Sequence, residues 1–240
     1  MPILPLLLPP MPPRHPALAL SAICLAALLF ALEISSVPII LPVLEAQLHA
    51  SFQDLQWTMN AYTIACTTVL MATGTLADRY GRRRVFGLSV AAFGIASLLC
   101  GLAPHMPALI AARFVQGLAG GAMFICSIAI LSHQFPEGRA RARAFAVWGV
   151  VAGIGLGFGP VVGGAIVALA SWHWVFLVHA PLALVCLVLV RAGVAESSDP
   201  QARQQRLDWA GIATLTVAVL GLSWLITQGA SLGWTSPAAQ

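Results

Sequence analysis

Residues 74–86 read Gly74-Thr-Leu-Ala-Asp78-Arg79-Tyr-Gly81-Arg82-Arg83-Arg84-Val-Phe86, one acid and four arginines between two long apolar runs. The chain around this stretch is 59% hydrophobic and only 8% charged. A soluble domain carries roughly 25% charged residues, and the mean hydropathy of +0.89 points the same way. The apolar residues fall in blocks of the length that crosses a bilayer core, about 20 residues as a helix. The charged stretch is therefore a connection between membrane spans.

Working outward, seven such blocks are read at 17–43, 56–76, 85–104, 107–131, 144–169, 174–192 and 209–228. The predicted organisation is a Pro-rich cytoplasmic tail over 1–16 and a six-helix transmembrane bundle over 17–192. A cytoplasmic loop over 193–208, a seventh transmembrane helix over 209–228 and an external segment over 229–240 follow, where the chain reads as truncated. The tail is too rich in proline for a regular helix. Arg14 precedes an apolar stretch that continues past any cleavage site of a signal peptide, so the first span is read as retained.

Charge gives the expected orientation. All 12 basic residues are arginine. Arg14 lies before the first span; Arg79 and Arg82–Arg84 follow the second, Arg139, Arg141 and Arg143 the fourth, and Arg191, Arg203 and Arg206 the sixth. Positive loops stay in the cytoplasm, so the N-terminus is expected inside, in a cell inner membrane. The net charge of +4 is then topology and contact with anionic membrane lipids, and no nucleic-acid partner is needed. The five cysteines all fall within predicted spans and lack metal-ligand spacing, so they read as small packing residues.

An ionisable group inside a span is costly and a functional candidate by default. Two stand out: Glu33 in the first span and Arg113 in the fourth. At about 1.5 Å per residue, Glu33 lies roughly 13 Å below Pro42 and Arg113 roughly 9 Å below Met106, close enough in depth to meet. Arg113, Gln116, Gly117 and Gly120 share one helix face, and Asn60, Thr63 and Thr67 form a second polar stripe. Together they are expected to line a water-filled path. In the fifth span, Gly149, Gly153 and Gly157 form one small-residue stripe and Gly155, Gly159 and Gly163 the adjacent one, the pattern of close helix contact. Pro160 is expected to kink that helix.

These residues carry a resemblance. The chain resembles the N-terminal half of a major facilitator superfamily transporter, in the 14-helix drug:proton antiporter branch. Gly74 to Arg84 matches the superfamily's loop 2–3 signature, and Arg113-Phe-Val-Gln116-Gly117 resembles its fourth-helix motif. Gly155-x-x-x-Gly159-Pro160-x-x-Gly163-Gly164 resembles the fifth-helix antiporter motif. Leu32-Glu33-Ile-Ser35-Ser-Val-Pro38 resembles the branch's first-helix motif, with Glu33 where the family has Asp. Gln56-Trp57 with Tyr62, Ser171 to Phe176, and Leu207-Asp208-Trp209-x-Gly211 also fit, so the matches run from about residue 30 to 234.

The resemblance implies an all-α membrane protein: a six-helix bundle of the major facilitator fold plus one additional transmembrane helix. It implies a proton and substrate site at Glu33, Arg113, Gln116, Asn60 and Tyr62, with Arg113 tuning Glu33. It implies a conformational latch at Gly74, Asp78, Arg79, Gly81 and Arg82, the two glycines permitting a tight turn. The expected function is proton-coupled efflux of a small lipophilic or cationic molecule by alternating access. No cofactor is expected, the proton motive force supplying the energy, and the partner is the missing C-terminal half. Burial disfavours the Glu33 carboxylate and a nearby guanidinium favours it, so a modest rearrangement can change its protonation.

Departures from the family pattern, namely Pro38 for Asn, Ser35 for Thr, and His173 and His179 for Arg and Asn, bear on substrate rather than fold. The two histidines read as helix-end polar residues. A retinal protein is excluded because it needs a lysine and the chain has none. An intramembrane enzyme would need a constellation at depth, and His133 and His179 read as isolated. A solute uniporter or importer of the same superfamily, or a non-transporting half-transporter, is the alternative.

Overall fold

The computed structural model describes residues 15–199 and 209–232. Every described element is an α-helix: α1 Pro16–Leu48, α2 Phe52–Tyr80, α3 Arg82–Gly101, α4 Met106–Gln134, α5 Arg139–Leu169, the short α6 His173–Leu177, α7 His179–Gly193 and α8 Trp209–Leu232. Residues 1–14, 200–208 and 233–240 lie outside the description, and with them most of the Pro-rich tail, Arg203, Arg206 and Asp208. Five segments (α1, α3, α4, α5 and α6–α7 taken together) are long and apolar enough to cross a membrane. α2 is long enough, but its Asn, Thr and Gln residues keep it out of that set.

Two of the helices, α2 and α4, start at polar side-chain caps. Ser51 closes a capping box with Asp54, its hydroxyl accepting from the Asp54 amide and its own amide donating to the carboxylate. α4 starts where the His105 ring accepts from the Ala108 amide. The expected loop over 74–86 is not a loop. α2 runs to Tyr80 and α3 starts at Arg82, so Gly81 alone makes the turn, at φ +108°. Such a φ suits glycine and strains other residues. Gly74 sits inside α2 with open space around it and takes no part in the turn, contrary to expectation.

α1 is the hub, packing on α5 and α7 most extensively and touching α2, α4 and α6. α2 packs on α4, α3 on α4 and α7, and α8 lies against α2. The seat of α1 on α5 is made by one of the two glycine stripes. Gly155, Gly159 and Gly163 face Ala31, Ser35 and Ser36, whereas Gly149, Gly153 and Gly157 face open space. Gly164 reaches only Ile39. Ser35 Oγ donates across this seam to the Gly155 carbonyl at 3.0 Å. α5 continues through Pro160.

The interior is stratified. One apolar cluster contains Ile23 and Leu29 of α1, Phe86 and Phe93 of α3, Met123 and Ile130 of α4, and Cys186 of α7. The other contains Val37, Ile40 and Leu44 of α1, Leu109 of α4, and Trp172 and Phe176 of the α6 region. Between them along these helices fall Glu33, Ser97, Arg113, Gln116 and His179, all buried. The fold thus holds one polar layer between two oily ones.

Candidate functional site

The polar layer is built around Arg113. Its side chain is fully buried, and so is that of Glu33, to which Nη1 donates at Oε1 in a short ion pair. Nη1 also donates to Gln116 Oε1 at 2.6 Å, and Nε donates to the Thr58 carbonyl at 3.1 Å. Gln116 passes the network on, donating from Nε2 to Ser97 Oγ at 2.8 Å, while the Cys100 thiol donates to its oxygen at 3.4 Å. The guanidinium carbon stands 4.3 Å from the Tyr62 ring centre and 5.8 Å from that of Phe176, distances at which the aromatic quadrupole favours a cation. A buried ion pair persists only when its remaining donors are satisfied. Here carbonyl, amide and ring faces do that.

Backbone proximity explains the grip. Gly117 lies so close to the Tyr62 carbonyl that a Cβ would collide with it, and a Cβ on Gly121 would come within 2.7 Å of the Cys66 carbonyl. The absence of side chains there lets α4 lie directly on α2. The face carrying Arg113, Gln116, Gly117 and Gly120 is consequently a packed helix interface. The expected second polar stripe lies outside that packing. Thr63 and Thr67 are exposed and Asn60 half-buried; the two threonine hydroxyls bond back to Met59 and Ile64 carbonyls of their own helix. Asn60 takes no part in the hydrogen bonds described around Arg113, so of the two α2 residues expected at the site, Tyr62 alone is brought into it.

Sequence reading missed Ser97, Cys100 and the Thr58 carbonyl, and it misplaced His179. His179 does open α7, but its ring is only 2% exposed and turned inward, with Nε2 3.5 Å from Glu33 Oε2. His173 behaves differently: it stacks on Trp172 at 3.9 Å and lies 3.3 Å from Ser171 Oγ. The α2–α3 turn is a second charged centre. Asp78 Oδ1 accepts from Arg82 Nε at 2.9 Å, and the segment after α7 closes over both. Arg82 N donates to the Ser197 carbonyl at 2.8 Å and Asp199 N to the Asp78 carbonyl at 2.9 Å. Glu196 Oε1 accepts from Arg83 N at 3.1 Å. A Cβ on Gly81 would come within 2.6 Å of that same oxygen and displace the Glu196 carboxylate from Arg83 N, while φ is what calls for glycine. On the far side of α4, an apolar groove of about 740 Å³ runs between α2, α4 and α8, lined by Trp57, Ala61, Phe114, Leu220 and Trp224 among others.

Known proteins resemble this chain in sequence and in fold. The Major Facilitator Superfamily model matches residues 23–238. Multidrug resistance protein Stp of Mycobacterium tuberculosis is 35% identical over 223 residues, 93% of this chain and 41% of Stp. Drug efflux pump JefA of the same organism is 37% identical over 196 residues, 82% of this chain and 38% of JefA. The tetracenomycin C resistance and export protein of Streptomyces glaucescens is 33% identical over 217 residues, 90% of this chain and 40% of that protein. The chain thus spans about two fifths of the length of these relatives. Among solved structures, the human organic anion transporter MFSD10 aligns at a TM-score of 0.67 with 17% identity, covering 90% of this chain and 55% of that one. The proton:xylose symporter XylE aligns at 0.64 with 17% identity, covering 91% and 55%. With the family model spanning nearly the whole chain and the bundle superposing on solved members, this protein belongs to the major facilitator superfamily.

Proposed function

We propose that the chain supplies the proton-handling half of an exporter that exchanges protons for small lipophilic or cationic molecules, acting with a second half of the kind its longer relatives contain. The observation that carries this reading is the Glu33–Arg113 pair, sealed between two apolar layers with Arg113 on one carboxylate oxygen only. In this reading a small shift of α1 against α4 changes the partners of the Glu33 carboxylate, and a proton is taken up or released there. One proton entering against a neutral molecule yields about 2.3 kcal/mol per 100 mV, and one entering against a monovalent cation is driven by the pH gradient. The drug-efflux names of the relatives and the apolar groove beside Phe114 support a lipophilic substrate.

In the same reading the protein lies in the cell inner membrane with its N-terminus in the cytoplasm, and the Arg79–Arg84 turn faces that side. Asp78 and Arg82 act there as a latch: a partly exposed pair in a one-residue turn can exchange partners as the halves rock. The test is drug efflux by the intact protein in everted vesicles under an imposed pH gradient. Glu33→Gln is expected to abolish gradient-driven efflux while leaving membrane insertion normal. Undiminished efflux by Glu33→Gln removes the reading, and transport only in the inward direction favours an importer.

A further inference from the structure

His179 brings a buried imidazole into the polar layer that the export scheme does not use. Its Nδ1 lies 3.0 Å from the Val175 carbonyl, one turn back in the chain. A carbonyl oxygen only accepts, so Nδ1 carries the hydrogen, and in the neutral ring Nε2 presents a lone pair. Glu33 Oε2 stands 3.5 Å from that nitrogen. Arg113 takes the other carboxylate oxygen, and among the described residues neither Oε2 nor Nε2 has a hydrogen-bond partner. With Glu33 ionised and His179 neutral, two acceptors therefore confront each other at the centre of the bundle. A single proton converts them into a donor and an acceptor, as imidazolium to carboxylate or as carboxylic acid to imidazole.

The surroundings keep the ring in this pose. Phe93 of α3 meets it edge-on with ring centres 5.9 Å apart, and the Val175 carbonyl fixes its rotation. The charged and titratable groups gathered around the pair are Glu33 from α1, Arg113 from α4, the Tyr62 phenol from α2 and the Cys100 thiol from α3. Phe93 contributes no charge from α3, nor does Phe176 from α6. We propose that Glu33 and His179 form one proton-binding unit, in which a proton taken from water bridges Oε2 and Nε2 and takes the Glu33–Arg113–His179 set from net neutral to +1. His179 is a positioning and proton-sharing residue for Glu33, which extends the export reading and rests on it in needing Glu33 to take up a proton.

The test is a pH titration of the intact protein in lipid nanodiscs with nitrogen-15-labelled histidine, alongside infrared detection of the Glu33 carboxyl. The His179 resonance is identified by its loss in His179→Asn. In the native protein His179 Nε2 and the Glu33 carboxyl are expected to titrate as a coupled pair, and Glu33→Gln is expected to shift the His179 midpoint by more than about one pH unit. His179→Asn, whose amide is a permanent donor, is expected to displace the Glu33 midpoint. A His179 midpoint unmoved by Glu33→Gln overturns the unit. So does a Glu33 midpoint unmoved by His179→Asn, which leaves Glu33 as a lone proton site and the export reading intact. If Glu33 never titrates, both fall. Should His179→Asn fail to fold, the Glu33→Gln comparison decides alone, the His179 signal being picked out by its exclusion from solvent.

Discussion

Glu33–Arg113 and Asp78–Arg82 are both carboxylate–guanidinium pairs, and they differ in almost everything else. The first joins two helices across 80 positions of sequence, with 0% and 1% of the side chains exposed. The second joins i and i+4 at the end of α2 and the start of α3, with 39% and 20% exposed. In water a pair like Asp78–Arg82 contributes little, because solvent screens it and either partner can be replaced by water. At the polar layer no such substitute exists, so each member of Glu33–Arg113 is stabilised only by the other and by the groups around it. In the proposed scheme the buried pair is the one that answers to a proton, and the exposed pair is the one that changes partners.

The sharpest break of this comparison is Arg113→Leu. It strands a buried carboxylate and is expected to cost about 3–5 kcal/mol of stability by unfolding in detergent. Glu33→Met with Arg113→Leu should recover most of that loss, since replacing both charges removes the stranded one. No recovery would mean that the pair is not what Arg113 stabilises. Next comes the seat that holds α1, and so Glu33, in place. Gly159→Ala drives a methyl group into Ser35 Oγ and is expected to cost about 1–3 kcal/mol. Gly157→Ala, on the open stripe, should stay within about 0.5 kcal/mol. Equal effects at the two glycines would erase the distinction between the stripes. The smallest effect belongs to the outer pair. Asp78→Asn is expected to change stability by less than about 1 kcal/mol, and less still at high salt. A loss as large as that of Arg113→Leu would show that the turn is structural and not a latch.

Much of this was legible before any coordinates. The apolar blocks located the helices because membrane length is a strict constraint, and counting depth from the span ends brought Glu33 and Arg113 to one level. The same count would have found His179. It lies six residues beyond His173, about 9 Å at 1.5 Å per residue, which is the depth assigned to Arg113. In sequence alone a histidine near the start of a span looks like an interfacial group, whereas Trp172 and Val175 before it are already buried at 1% exposure each. Periodicity failed at Asn60, Thr63 and Thr67 for another reason. A polar stripe reports that residues share a face, and it does not say whether that face turns toward the bundle or away from it. Gly81 could be placed at a turn from its spacing, but Gly74 could not be told from it, since a glycine inside a helix and a glycine in a turn look alike in sequence.

The central claim is that Glu33 carries the proton that is exchanged for substrate. It is tested most directly by adding a lipophilic cation, tetraphenylphosphonium, to the purified intact protein in weak buffer and following pH with an indicator. The account predicts proton release from the native protein and none from Glu33→Gln. Release of equal size from both would contradict it.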